Sequence, residues 1–128
     1  MGKLILVVED QEDNRKILRD LLANSGFEVV EAVNGIEGVR LAEKLLPDLI
    51  LMDIQLPGID GYEATRQIKA KANLTAIPII VVTSYALSGD DKKAYDAGCD
   101  DYVAKPFSPR KLLAKVHNFL NYPAMRNK

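Results

Sequence analysis

Four short runs rich in Val, Ile and Leu punctuate the chain: Leu4–Val8, Val29–Val33, Leu49–Met52 and Ile79–Val82. Runs of this kind suit strands covered on both faces, as in a parallel sheet. Between them the apolar residues recur at helical spacing. The first such segment has Ile17, Leu18, Leu21 and Leu22, and the second has Ile36, Val39, Leu41, Leu45 and Leu46. The last has Leu112, Leu113, Val116, Phe119 and Leu120. Helix starts are signposted by a capping residue three positions before a carboxylate: Asn34 with Glu37, Asp60 with Glu63, Ser88 with Asp91. Ser108-Pro109 supplies a cap followed by proline in the first turn. Asp101–Ala104, between two helical segments, reads as a weaker fifth strand.

The order is strand then helix, five times over. That alternation predicts an α/β fold: a five-stranded, doubly wound parallel sheet with right-handed crossovers and helices on both faces. No repeat, low-complexity tract or linker interrupts it, and Asn121–Lys128 reads as a frayed end. Residues 1–128 are therefore expected to form one domain, its core spanning about 3–121, with no room for an effector domain.

In such a sheet, ligands bind at the carboxyl ends of strands, beside the point where strand order reverses. Strand one ends in Glu9-Asp10, strand three in Asp53, strand four in Thr83-Ser84 and strand five in Lys105-Pro106. Strand two ends in Asn34-Gly35, which carries only a helix cap. Polar chemistry at every strand but the second is what an order of 2-1-3-4-5 would gather in one crevice. Three carboxylates there are unfavourable together unless protons or a cation intervene. A divalent ion and Lys105 would bring their formal charge to zero. Hard oxygen donors suit Mg²⁺ or Mn²⁺, and His117 and Cys99 lie too far along the chain to form a soft-metal cluster. A divalent ion, a lysine and a hydroxyl are the parts of a phosphoryl-transfer site, with an aspartate as nucleophile.

Read in order, these residues resemble the receiver domain of two-component response regulators, the CheY-like fold. The match runs through Glu9-Asp10, Asp53-Ile54-Gln55-Leu56-Pro57-Gly58-Ile59-Asp60-Gly61, Thr83-Ser84, Tyr102 and Lys105-Pro106. Single-domain, DivK-like members look nearest, on the Asp53–Pro57 run and on Ser88-Gly89-Asp90. The resemblance implies that Asp53 takes a phosphoryl group from a sensor histidine kinase or histidine phosphotransfer protein. It implies that Asp10, Asp53 and the Gln55 carbonyl hold Mg²⁺, with Glu9 acting through water. Lys105 and the backbone N–H groups of Ile54 and Ser84 would meet phosphoryl oxygens, and the bond to Pro106 would be cis. Thr83 would turn toward the phosphate and let Tyr102 rotate inward. Gln55 and Tyr85 sit where the family tunes phosphate lifetime, and their bulk leads us to expect a long-lived phosphoryl group. Output is expected on the fourth helix, fifth strand and fifth helix, toward a protein target or a second copy of the chain. The fourth helix has the weakest apolar stripe, as a movable element should.

Composition narrows the alternatives. With 17 Lys+Arg against 18 Asp+Glu, the formal charge is −1, too little basic excess to drive nucleic-acid binding. Leu4–Val8 is far short of a membrane span, and a single cysteine fits a reducing compartment, so a cytoplasmic protein is expected. An aspartate-nucleophile phosphatase would carry Asp-x-Asp after strand one, and a flavodoxin-like nucleotide binder would carry a Ser/Thr/Gly loop there. Glu9-Asp10-Gln11-Glu12-Asp13 is neither. A switch rather than an enzyme is the expectation. Taken singly, each residue has a plainer reading: Asp53 as a turn former, Thr83 as a strand-end hydroxyl, Tyr102 as packing, His117 as a solvated helix residue. Only their joint position singles them out.

Overall fold

A strand that is apolar along its whole length needs helices on both of its faces, and the architecture supplies them. The computed structural model describes residues 2–84 and 90–120. Its elements run β1 (Leu4–Val8), α1 (Glu12–Asn24), β2 (Glu28–Ala32), α2 (Gly35–Leu45) and β3 (Leu49–Asp53). They continue with α3 (Gly61–Lys69), β4 (Ile79–Thr83), α4 (Asp90–Ala97), β5 (Asp101–Ala104) and α5 (Pro109–Leu120). The strands form one parallel sheet in the order β2-β1-β3-β4-β5. Side chains alternate between two cores. Leu6, Val8, Ile50, Met52 and Val81 pack with Val39, Ala42, Ala64, Ile68 and Ala94 on the α2–α3–α4 face. Ile5, Val7, Leu49, Leu51, Ile80 and Val103 pack with Leu18, Leu22, Leu112 and Val116 on the α1–α5 face.

The cap signals translate into hydrogen bonds. Asn34 accepts from the Glu37 N–H at 2.8 Å, while the Glu37 carboxylate accepts from the Val33 N–H at 2.8 Å. Asp60 accepts from the Glu63 N–H at 2.9 Å, and Ser108 from the Lys111 N–H at 3.4 Å. The expected cap at Ser88, the residue Tyr85 and the tail from Asn121 lie outside the described residues.

Several expectations need correcting. β2 begins and ends one residue earlier than Val29–Val33, whereas β3 and β4 each run one residue further. On α2 the packed face is Gly35, Gly38, Val39 and Ala42, so Ile36 is 64% exposed and Leu45 and Leu46 are exposed too. The reason is closeness of approach. A methyl group at Gly38 would sit 2.9 Å from the Val8 side chain, so small residues face the sheet and the large ones turn away. On α1, Leu18 and Leu22 fill the core while Ile17 stays exposed. His117 is only partly solvated: the residue is half-buried, its Nδ1 is buried and its ring packs 5.5 Å from that of Phe27.

Candidate functional site

The parallel register sets the site residues on one level. Val8 pairs with Met52, so Glu9 comes level with Asp53, and Asp53 itself pairs with Val82. Thr83 pairs with Ala104, which puts Thr83 and Lys105 each one residue beyond those partners. Four adjacent strands therefore deliver Glu9, Asp53, Thr83 and Lys105 to the carboxyl edge of the sheet. Where the β1–β2 and β4–β5 ladders stop, backbone bonds take over: the Glu9 N–H donates to the Ala32 carbonyl at 3.0 Å and the Lys105 N–H to the Thr83 carbonyl at 2.7 Å. The Lys105–Pro106 peptide bond is cis.

Above this edge lies a cavity of about 290 Å³ lined by Glu9, Asp10, Gln11, Asn14, Asp53, Gln55, Ser84 and Lys105. Glu9, Asp10 and Asp53 each offer a carboxylate oxygen, and the three lie within 4.8 Å of one another. Glu9 and Asp53 are buried, and Lys105 answers them from one side. Its Nζ donates to Glu9 Oε1 at 3.0 Å and stands 3.6 Å from Asp53 Oδ2. One lysine against three carboxylates leaves negative charge over. Burial, and then the Glu9 charge, push the Asp53 carboxyl up from 3.8 to about 6, while Lys105 pulls the other way. A buried acid perturbed by a neighbouring acid, in a cleft, marks a functional site. The donor set is all oxygen, and the excess negative charge is what a hard divalent cation would relieve, so these residues fit Mg²⁺.

Not every expected residue reaches the cavity. Thr83 is fully buried at the end of β4, and Ser84 lines the wall. Ile54 is buried, and its carbonyl accepts from the Gly61 N–H at 2.9 Å. Tyr102 stands two rows below Thr83 in the ladder and lines a separate cavity beside Phe107 and Lys111. Cys99 is buried; burial and the neighbouring Asp100 and Asp101 push its thiol up to about 12, so it holds its proton. Beside the acidic cavity runs a mostly apolar groove of about 510 Å³, walled by Ile17, Leu18, Pro106, Phe107 and Pro109. Two contributors were given no role by the sequence. Gly61 brings α3 so near β3 that a methyl group would run into the Asp53 carbonyl oxygen. Arg15 donates to the carbonyls of Glu9 and Asp10 from inside α1.

A sheet of this order, with a buried aspartate flanked by two acids and a lysine at its carboxyl edge, defines the phosphoacceptor signalling domains. The chain belongs to the response regulator receiver domain family, which matches residues 5–117. It is 42% identical over 120 residues to the polar-differentiation response regulator DivK of Brucella anthropi, covering 94% of this chain and 98% of that one. Among solved structures, it is similar to the receiver domain of sensor histidine kinase PA1611 from Pseudomonas aeruginosa PAO1, which has a magnesium ion coordinated in its active-site cleft. That pair is 40% identical with a TM-score of 0.89, covering 95% of this chain and all of the other. The chemotaxis protein CheY4 of Vibrio cholerae shares the fold, at a TM-score of 0.87 over 93% of this chain and 99% of that one, with 24% identity.

Proposed function

We propose that Asp53 is the phosphoacceptor of a switch fed by a sensor histidine kinase or a histidine phosphotransfer protein. The observation that carries this is the buried Asp53 with the Glu9 and Asp10 oxygens within 4.8 Å and the Lys105 ammonium 3.6 Å away. Asp10, Asp53 and the Gln55 carbonyl would hold Mg²⁺, or Mn²⁺, with Glu9 acting through water. When bound, the cation offsets charge on the oxygens of the transferred group. An Asp53 carboxylate oxygen forms the new O–P bond as the N–P bond of the donor phosphohistidine breaks, its electron pair leaving on the imidazole nitrogen. Lys105, now paired with Glu9, is placed to turn to a phosphoryl oxygen, and the N–H groups of Ile54 and Ser84 assist. The apolar groove beside the cavity supports a protein donor, since it offers a landing surface next to the reacting carboxylate.

Phosphorylation adds about one further negative charge and new acceptor oxygens. Thr83 and Lys105 answer that charge, and Tyr102 responds to the movement of Thr83. A shift from mostly off to mostly on needs roughly 5.5 kcal/mol of differential interaction, within reach of a few charge-assisted hydrogen bonds. Output passes through the α4–β5–α5 face to a protein target, or to a second copy of the chain, in the cytoplasm. The protein acts as a switch and not as a dedicated enzyme. No described helix is long and apolar enough to cross a membrane. Intact-mass measurement after incubation with a small-molecule phosphodonor tests the core of this reading. One phosphoryl adduct is expected, dependent on Mg²⁺ and lost in Asp53→Asn; an unmodified wild-type protein would leave only a phosphate-independent binding module.

A further inference from the structure

Arg15 sits in the first turn of α1, and only 15% of its side chain is exposed. Its Nη1 donates to the Glu9 carbonyl at 3.1 Å and to the Asp10 carbonyl at 3.2 Å. Its Nε donates to Glu31 Oε1 on β2, also at 3.1 Å. The β1 ladders end at Val8, so these two carbonyls belong to chain that has already left the sheet. Buried backbone acceptors need partners, and here one guanidinium supplies both. The Glu9 peptide is thus held on both sides, its N–H by Ala32 and its carbonyl by Arg15.

We propose that Arg15 is a positioning residue for cation binding and phosphoryl acceptance: it fixes the turn that carries the Glu9 and Asp10 carboxylates, and Glu31 aims it. This rests on the site reading given above. A lone positive charge so near a dication site would repel the ion. Glu31, shared with Arg19, offsets part of that charge, and the two carbonyl bonds are what Arg15 itself adds, so geometry is what it contributes. Groups that hold metal ligands in place commonly carry a 10- to 100-fold effect on metal affinity, roughly as large as losing a weak ligand. Arg19 provides an internal control. It pairs with the same Glu31, its Nη1 3.0 Å from Oε2, but donates to neither carbonyl.

The experiment is calorimetric titration of Mg²⁺ into the wild-type chain, Arg15→Met, Arg15→Lys and Arg19→Met, with thermal unfolding of each in chelator. Arg15→Met is expected to weaken Mg²⁺ binding about tenfold or more while still unfolding cooperatively in chelator. Arg15→Lys, able to reach one carbonyl, should recover part of the loss, and Arg19→Met should stay within about twofold of wild type. Equal affinities for wild type and Arg15→Met would overturn the proposal, as would equal losses in Arg15→Met and Arg19→Met. Should Arg15→Met fail to fold, Arg15→Lys decides alone: an unchanged affinity refutes the role and an intermediate one supports it. A wild-type chain that binds no Mg²⁺ overturns the site reading itself, before any variant is compared.

Discussion

Asp53 keeps its proton to about pH 6 because burial and the Glu9 charge both oppose its ionisation. In the unfolded chain the same group would titrate near 3.8. Between these two values the folded state holds a proton that the unfolded state has lost. The stability contributed by that proton is complete below about pH 3.8, shrinks as pH rises and is gone above about 6. Asp53→Asn keeps the shape and removes the charge, so it should stabilise the cation-free protein by about 1–2 kcal/mol near neutral pH. The gain should fade toward pH 4. Urea unfolding of both proteins in chelator, at acid and neutral pH, measures it; a gap that does not change with pH would contradict the cause assigned. At this scale the chemistry of Asp53 was readable in the sequence from its neighbours in motif. Arg15 was not, because nothing in the spacing of residues 9, 10 and 15 says that a guanidinium reaches back over two carbonyls.

The start of α3 shows how an element places a residue it does not contain. Asp60 caps the helix, and Gly61 lets its first turn rest on the carbonyl of Asp53. Gly61→Ala would push a methyl group into that oxygen and to 2.8 Å from the Ile54 α-carbon. It should cost about 1–3 kcal/mol, as overpacking does, and lower phosphorylation of Asp53 as well. Gly58 is a contrasting case three residues earlier. Its φ is +78° with open space around it, so Gly58→Ala should cost only about 1–2 kcal/mol of backbone strain and leave phosphorylation in place. Equal loss of phosphorylation in the two variants would refute the contact argument. The caps at Asn34 and Asp60 were legible because their hydrogen bonds are local. The packed face of α2 was not, since hydrophobicity ranks Ile36 and Leu45 above Gly35 and Gly38. Which residues face the sheet is decided by how near the helix comes to Val8.

Across the whole molecule, the site and the stability are coupled through charge. Glu9, Asp10 and Asp53 come from two strands and their following loops, so only the folded chain presents them together. A cation that binds this cluster stabilises the fold by RT ln(1 + [L]/Kd), about 2.7 kcal/mol at a hundred times Kd. Because the ligands must be deprotonated, that gain should grow as pH rises through about 6, opposite to the trend of the cation-free protein. Unfolding midpoints with and without Mg²⁺, taken across this range, should diverge toward neutral pH. Midpoints that Mg²⁺ leaves unchanged in the wild type would count against the cluster as a cation site.

The sequence by itself determined the class of fold, the five strand–helix units and the residues at the strand ends. Each of those follows from local pattern: unbroken apolar runs, helical spacing, and caps three residues from a carboxylate. The tertiary structure alone decided which of those ends share a level. Parallel register brought Glu9, Asp53, Thr83 and Lys105 to one edge and left Tyr102 two rows below Thr83. It also decided that Lys105 now rests on Glu9, that Gly61 is pressed against Asp53, and that Arg15 secures the acidic turn. These depend on distances between segments far apart in the chain, and such distances exist only once the sheet has set its register and the helices have closed on it.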